Sequence, residues 1–173
     1  MLIFFISFSS ILSTALSRSS RSNITWWCNK TPHPEPCKYF MSHGAHCFAP
    51  KHMTEFRKIM VRLAFDRVLM SEKNVLEFEQ SCKNWQQKAS CRDCLKLFYN
   101  TILQLNLTLQ GLETRRRMSC SDFDAQTWLS TALTNIQTCE AGFMDFNVSD
   151  FFTSKTSNNI SQLISNCLAV NGV

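Results

Sequence analysis

Proline is confined to one end of this 173-residue chain: the four prolines are Pro32, Pro34, Pro36 and Pro50, and the sequence beyond Pro50 has none. A stretch that long without the one residue that removes a backbone donor is free to be helical throughout. Glycine is as scarce, with four in all, and no two alternating runs are joined by an Asn-Gly or Asp-Gly turn. Hairpins and sheets therefore lack sequence support. Also absent are a G-x-S-x-G elbow, a P-loop, an H-E-x-x-H pair and a Gly-rich dinucleotide turn. No active site is recognisable and no cofactor is expected. The net charge of +5 is too small and dispersed for a nucleic-acid partner, and it weakly favours acidic partners such as polyuronides.

Charge is missing altogether from Met1 to Leu16, an apolar run that ends in Ala15-Leu16-Ser17. It is short for a membrane span, no second run of spanning length follows, and Ser-rich sequence comes directly after it. Residues 1–17 read as a signal peptide and 18–173 as one secreted domain without a membrane partner.

The best-marked segment that is present is Ser121 to Phe143. Phe123, Ala125, Trp128, Leu129, Ala132, Leu133, Ile136, Cys139 and Phe143 recur at steps of three and four, the stripe of an amphipathic helix. Ser121 and Asp124 have capping-box spacing, and Gly142 stands where the last turn is expected to close. The opposite face carries Asp122, Gln126, Thr127, Ser130, Thr134 and Gln137, uncharged beyond its first turn. That pattern suits either plain surface or a face that meets another protein.

Three further segments show the same periodicity. Met53 to Cys82 aligns Phe56, Met60, Leu63, Ala64, Val68, Val75, Phe78 and Cys82; Lys88 to Gln110 aligns Cys91, Cys94, Leu95, Phe98, Ile102, Leu105 and Leu109, with Gly111 expected just past its end. Ser154 to Asn171 aligns Ile160, Leu163, Ile164, Cys167 and Leu168 before Gly172. Short connections between amphipathic helices imply antiparallel neighbours, so the expected fold is all-α, an up-down-up-down four-helix bundle. Ahead of it, Trp26-Trp27-Cys28 and the proline-broken stretch to Cys37 read as a small stapled cap with two aromatic anchors.

Nine cysteines in a secreted chain argue for disulfides, and the odd count leaves one thiol over. Cys91-Arg92-Asp93-Cys94 has C-x-x-C spacing, but the redox form needs a preceding strand and an opposed proline loop that this chain does not offer. Cys94 near the start of one helix and Cys139 near the end of the next would lie side by side in an antiparallel pair. The pairing of Cys47, Cys82, Cys91, Cys120 and Cys167 is left open. All four histidines precede the bundle, and His43-x-x-His46-Cys47 does not have the spacing of a common zinc site. Five sequons, at Asn23, Asn29, Asn106, Asn147 and Asn159, are candidate glycosylation positions, Asn29 the weakest because Pro32 follows its Thr31. Asp122 and Asp124 fit first-turn and capping roles better than acid–base work. Arg115-Arg116-Arg117 reads as a solvated turn, with contact to a polyanion such as demethylated pectin as its sharper alternative.

Taken in order, WWCNKTPHPEPC, CRDCLKLFYNTILQLN, DAQTWLSTALTNIQTCEAGF and ISQLISNCLAV resemble the plant invertase/pectin methylesterase inhibitor family, over about Trp26 to Val170. The wording is most similar to the inhibitor-type pro-region that precedes the catalytic domain of many pectin methylesterases. The resemblance implies a four-helix bundle carrying an N-terminal disulfide-stapled helical hairpin, with Cys28–Cys37 inside the hairpin and Cys94–Cys139 joining the second and third bundle helices. No catalytic domain or basic processing motif follows the fourth helix. The expectation is thus a free-standing inhibitor or a truncated pro-region of an esterase precursor, and no esterase activity. The Pro-Lys-Phe tripeptide of the invertase inhibitors is missing, which moves the expected target from invertase to pectin methylesterase.

By that resemblance the bundle forms a 1:1 complex with the esterase in the apoplast or cell wall and covers its pectin-binding cleft. The matching surface is Gln126, Thr127, Ser130, Thr134 and Thr138, with Asp93 and Lys96 from the preceding helix, and a weak contact with pectin itself is a secondary expectation. Two rival classes are a redox or metal protein, to be separated by a thiol count, and a small lipid carrier, whose adjacent-cysteine and C-x-C pattern is missing.

Overall fold

The structure, a computed structural model, describes residues 23–43, 49–80, 82, 84–113, 121–146 and 154–172, with backbone alone at 154–158. The expectations for the leader, for His46, Cys47, Arg115 to Arg117, Cys120 and Asn147 lie outside these residues.

Residues 23–28 form α1, followed by α2 (Pro34–His43), α3 (Met53–Glu79), α4 (Trp85–Gly111), α5 (Asp122–Asp145) and α6 (Ser154–Asn171). Helices α3 to α6 pack in a ring in which α3 touches α4 and α6 and α5 touches α4 and α6. The expected four-helix bundle is what the chain forms. Its direction alternates: Cys94 in the early turns of α4 is bridged to Cys139 late in α5, and Ser161 of α6 donates to Glu140 of α5 at 2.9 Å.

The seams explain why these sequences become these helices. Cys94, Phe98, Thr101, Leu105 and Thr108 of α4 are buried at alternating steps of four and three, as are Ala125, Leu129, Ala132, Ile136, Cys139 and Phe143 of α5. A repeat near 3.5 keeps one seam turned toward its neighbours along the whole length of a bundle. Phe56, Met60, Phe98, Leu105, Leu129, Ile136, Phe143, Ile160, Leu163 and Ile164 are fully enclosed. Each such side chain contributes about 1.5–3 kcal/mol over its exposed state. Thr101 and Thr108 can sit among them because their hydroxyls donate to the carbonyls of Leu97 (2.8 Å) and Gln104 (2.9 Å), one turn back.

Helix ends depart from expectation at four places: α3 stops at Glu79, which leaves Cys82 beyond it in the α3–α4 connection. Asn84 caps α4, its side chain accepting from the Gln87 N–H at 2.8 Å, so the helix starts at Trp85 rather than Lys88. Gly111 is buried inside the last turn of α4, and the cap is Leu112 in ordinary right-handed backbone. Gly142 also lies within a helix, because α5 runs on to Asp145. There the Ser90 hydroxyl of α4 donates to the Gly142 carbonyl at 3.1 Å, so this glycine belongs to the α4–α5 contact and not to a stop signal.

The hairpin of α1 and α2 is closed by the Cys28–Cys37 disulfide, with a Cα–Cα distance of 5.5 Å. Trp27 fastens it to the bundle: its indole N–H donates to the Pro50 carbonyl at 2.7 Å and its ring lies 5.1 Å from that of Phe56. Trp26 is not the second anchor expected of it. It stays 55% exposed, with the Lys30 ammonium 3.7 Å from its ring centroid, because the helical turn that buries Trp27 points its neighbour outward.

Candidate docking face

The start of α5 is held by a complete capping box. The Asp124 N–H donates to the Ser121 hydroxyl oxygen at 3.1 Å, and the Ser121 N–H returns a bond to the Asp124 carboxylate at 3.0 Å. Hydrogen bonds from the Ser121 hydroxyl and backbone hold the Asp124 carboxyl below its usual range. Asp122 beside it reaches Arg57 of α3 at 3.6 Å. Both aspartates are thus structural at a helix N-terminus.

From this start, Thr127, Ser130, Thr134 and Thr138 are exposed opposite the buried seam, and Gln126 is exposed at the flank of that face nearest α6. Their chemistry is narrower than their composition implies. The hydroxyls of Thr127, Thr131, Thr134 and Thr138 donate to the carbonyls of Phe123, Thr127, Ser130 and Thr134 at 2.8–3.0 Å. With the threonine protons committed along the helix, those positions offer methyl groups and oxygen lone pairs, while Ser130 and the Gln126 amide add a hydroxyl and an amide that can donate. The face can pack against a flat surface and accept hydrogen bonds, and it carries no charge.

Phe123 heads the same face. The sequence pattern counted it as core, but it is 79% exposed, because four- and three-residue steps from Phe123 lead to Thr127, Ser130 and Thr134, not to Leu129. Trp128 and Leu133, also counted as core, are half-buried at the flanks of the seam. The signal that separates these residues was available: Ala125, Leu129, Ala132 and Ile136 form a tight alternation of four and three that excludes all of them.

On α4, Asp93 and Lys96 form an exposed ion pair at 3.0 Å. Asp93 directly precedes Cys94, whose bridge to Cys139 brings the two helices to a Cα–Cα distance of 4.7 Å. Gln126 lies over the end of α6, its amide against Gly172. Of the sequon asparagines, Asn23, Asn29 and Asn106 are exposed and Asn159 is half-buried. Among the described residues there is no cluster of potential metal ligands, and the His43 ring nitrogen Nδ1 is bonded to the Tyr39 carbonyl at 2.9 Å. No described helix is long and apolar enough to cross a membrane.

A helical hairpin stapled by one disulfide on a four-helix bundle clamped by another, with an uncharged face running along its third long helix, defines a class of small bundle domains. The chain belongs to the plant invertase/pectin methylesterase inhibitor family, whose profile matches residues 22–170. It is 48% identical over 162 residues to the probable pectinesterase/pectinesterase inhibitor 33 of Arabidopsis thaliana, covering 90% of this chain and 27% of that protein. It is 38% identical over 154 residues to pectinesterase 2 of Citrus sinensis, covering 89% of this chain and 29% of that one. The chain therefore spans less than a third of these relatives' length. A solved pectin methylesterase inhibitor from Arabidopsis thaliana shares the fold at a TM-score of 0.64 and 19% identity, covering 88% of this chain and 95% of that one. A mutant form A of an Arabidopsis inhibitor superposes at a TM-score of 0.70, also at 19% identity, over 84% and 93% of the two chains.

Proposed function

We propose that this protein is a secreted inhibitor of pectin methylesterase that binds the enzyme 1:1 and covers its pectin-binding cleft, and that it is not itself an esterase. The observation that carries this reading is the uncharged, exposed run from Gln126 to Thr138 on a rigid, capped helix. A face whose threonine protons are already committed along the helix loses less on leaving water than one with free hydroxyls, which favours a broad protein contact over binding of a small polar ligand. Gln126, Thr127, Ser130, Thr134 and Thr138 form the centre of the contact in this reading, with the Asp93–Lys96 pair at its rim. The names of the relatives, pectinesterase and pectinesterase inhibitor, favour the esterase over invertase as the target.

Residues 1–17 act as the signal peptide in this proposal, and residues 18–173 as the apoplastic domain. Asn23 and Asn106, both exposed, are the better candidates for glycans; Asn29 is exposed but has Pro32 directly after its Thr31, and Asn159 is half-buried. The second reading, that the domain is the pro-region of an esterase precursor, is favoured by four pectinesterase/pectinesterase inhibitor relatives in each of which the match covers only 27–31% of the length. The deciding experiment mixes the purified, oxidised protein with a plant pectin methylesterase and follows acid release from methylated pectin, with a cell-wall invertase in parallel. Loss of acid release with invertase untouched is expected. Invertase inhibition alone would reverse the choice of target, and inhibition of neither would remove the proposal.

A further inference from the structure

The two halves of the C-x-x-C motif face different helices. Cys94 is bridged to Cys139 of α5, whereas Cys91, one turn earlier on α4, turns toward Cys82 in the α3–α4 connection, with the two sulfurs 3.5 Å apart. Cys91 is fully buried and Cys82 is 8% exposed. Nine residues separate them, the same spacing as in the bridged pair Cys28 and Cys37. Of the described cysteines outside the two bridges only Cys167 remains, fully enclosed in the α6 seam.

We propose that Cys82 and Cys91 are a third disulfide site, closed by oxidation, which staples the α3–α4 turn. A disulfide needs its sulfurs about 2.0 Å apart, so closure asks for a movement of about 1.5 Å, within the reach of side-chain rotation next to a turn. The oxidant is a small-molecule disulfide of the oxidised-glutathione class. Cys82, the more accessible of the two, attacks one sulfur of that reagent as its thiolate, and the displaced thiolate takes up the proton Cys82 lost. Cys91 then gives up its proton and attacks Cys82 Sγ, forming the internal S–S bond and expelling the second reagent thiol. Two protein thiols are oxidised, one reagent disulfide is reduced to two thiols, and no other reactant is consumed.

Closure would place two staples one turn apart on α4, one to α3 and one to α5, so that three consecutive helices are linked in series at the same end of the bundle. In the open state the pair is quiet rather than reactive. Burial, then the hydrogen bond and charge of Cys82, push the Cys91 thiol up to about 12, so the thiolate needed for attack forms before this end of the bundle packs or while it opens.

Trypsin separates the cysteines, because Lys83, Lys88 and Arg92 put Cys82, Cys91 and Cys94 on three different peptides. The full secreted protein is exposed to oxidised glutathione, denatured without reductant, alkylated and digested. A Cys82-containing peptide linked to the Cys91-containing peptide is the expected product. Alkylation of both cysteines while Cys28–Cys37 and Cys94–Cys139 stay intact would overturn the proposal, as would linkage of Cys82 to Cys47 or Cys120. As a second readout, amide exchange in residues 76–90 should be slower in the oxidised parent than in Cys91→Ala, while the exchange of α6 is the same in both. Equal exchange in residues 76–90 would mean that the bond, if formed, staples nothing.

Discussion

Asn166 holds both backbone groups of His33, a residue 133 positions away. Its side-chain oxygen accepts the His33 N–H at 2.8 Å and its side-chain nitrogen donates to the His33 carbonyl at 2.8 Å. The amide is fully buried, so it docks the hairpin on α6 as one strand edge would dock on another. Asn166→Leu keeps the bulk and leaves two backbone groups short of a partner, which is expected to lower unfolding free energy by about 1–3 kcal/mol. Urea denaturation measures the loss, and limited proteolysis should then cut first in the hairpin. An unchanged midpoint would show that water replaces the amide at no penalty.

The two faces of α5 separate by mutation. Leu129→Ala removes an enclosed side chain and is expected to cost about 2–5 kcal/mol, whereas Phe123→Ala, at 79% exposure, should stay within about 0.5 kcal/mol. Trp128→Ala and Leu133→Ala, half-buried, should fall between them. Chemical denaturation of the four variants ranks them, and a large loss at Phe123 would place the seam on the wrong side of the helix.

The capping box has a pH signature. Asp124 is held below the usual carboxylate range by the Ser121 hydroxyl and backbone, so its folded pKa lies under its unfolded one. Such a group adds stability above the unfolded value, near 3.9, and the contribution disappears as pH falls through the folded value. The first turn of α5 should therefore loosen only in acid, seen as faster amide exchange at Asp124 and Ala125 once exchange rates are corrected for pH. In Asp124→Asn this acid-dependent step should vanish; its persistence would assign the effect to another carboxylate.

Helices and bundle were legible because a single physical signal, the spacing of apolar residues, recurs over four long proline-free segments. The same signal misled at Phe123, an aromatic next to the stripe that was counted into it: periodicity weights residue type, while burial depends on a few tens of degrees around the helix axis. At Trp26, aromatic character alone pointed to a second anchor. Of the three glycines expected at helix ends, Gly172 lies just past α6, whereas Gly111 and Gly142 sit inside their helices, since a glycine also serves where helices approach, as Gly142 does against Ser90. Asn84 was readable as a cap with Gln87 three residues on. Asn166 was not, because nothing local marks a side chain whose partner is His33. The outward threonines were named from the sequence, but the direction of their hydroxyls depends on helix geometry and appears only in three dimensions.

The proposed docking face on α5, with the esterase inhibition it would produce, makes the sharpest demand. Ser130 is exposed at the middle of the α5 face, between Thr127 and Thr134, and its carbonyl already accepts the Thr134 hydroxyl at 3.0 Å. Ser130→Arg leaves that backbone bond in place, and in water a long cation on an exposed helix face is solvated freely, so helix content and melting temperature should hardly change. In a closed contact the guanidinium has to leave water opposite a surface with no prepared anion. An uncompensated buried charge typically costs several kcal/mol, enough to weaken binding by a few orders of magnitude. Thr134→Val is the matched control for the mildest change: it keeps the shape and removes a hydroxyl whose proton already serves the helix, so inhibition should fall little unless the esterase donates to that oxygen. The measurement is the esterase inhibition constant of each variant beside its melting curve. A well-folded Ser130→Arg protein that inhibits as the parent does would move the docking surface off α5, and the exposed Asp93–Lys96 side of α4 would be the next face to test.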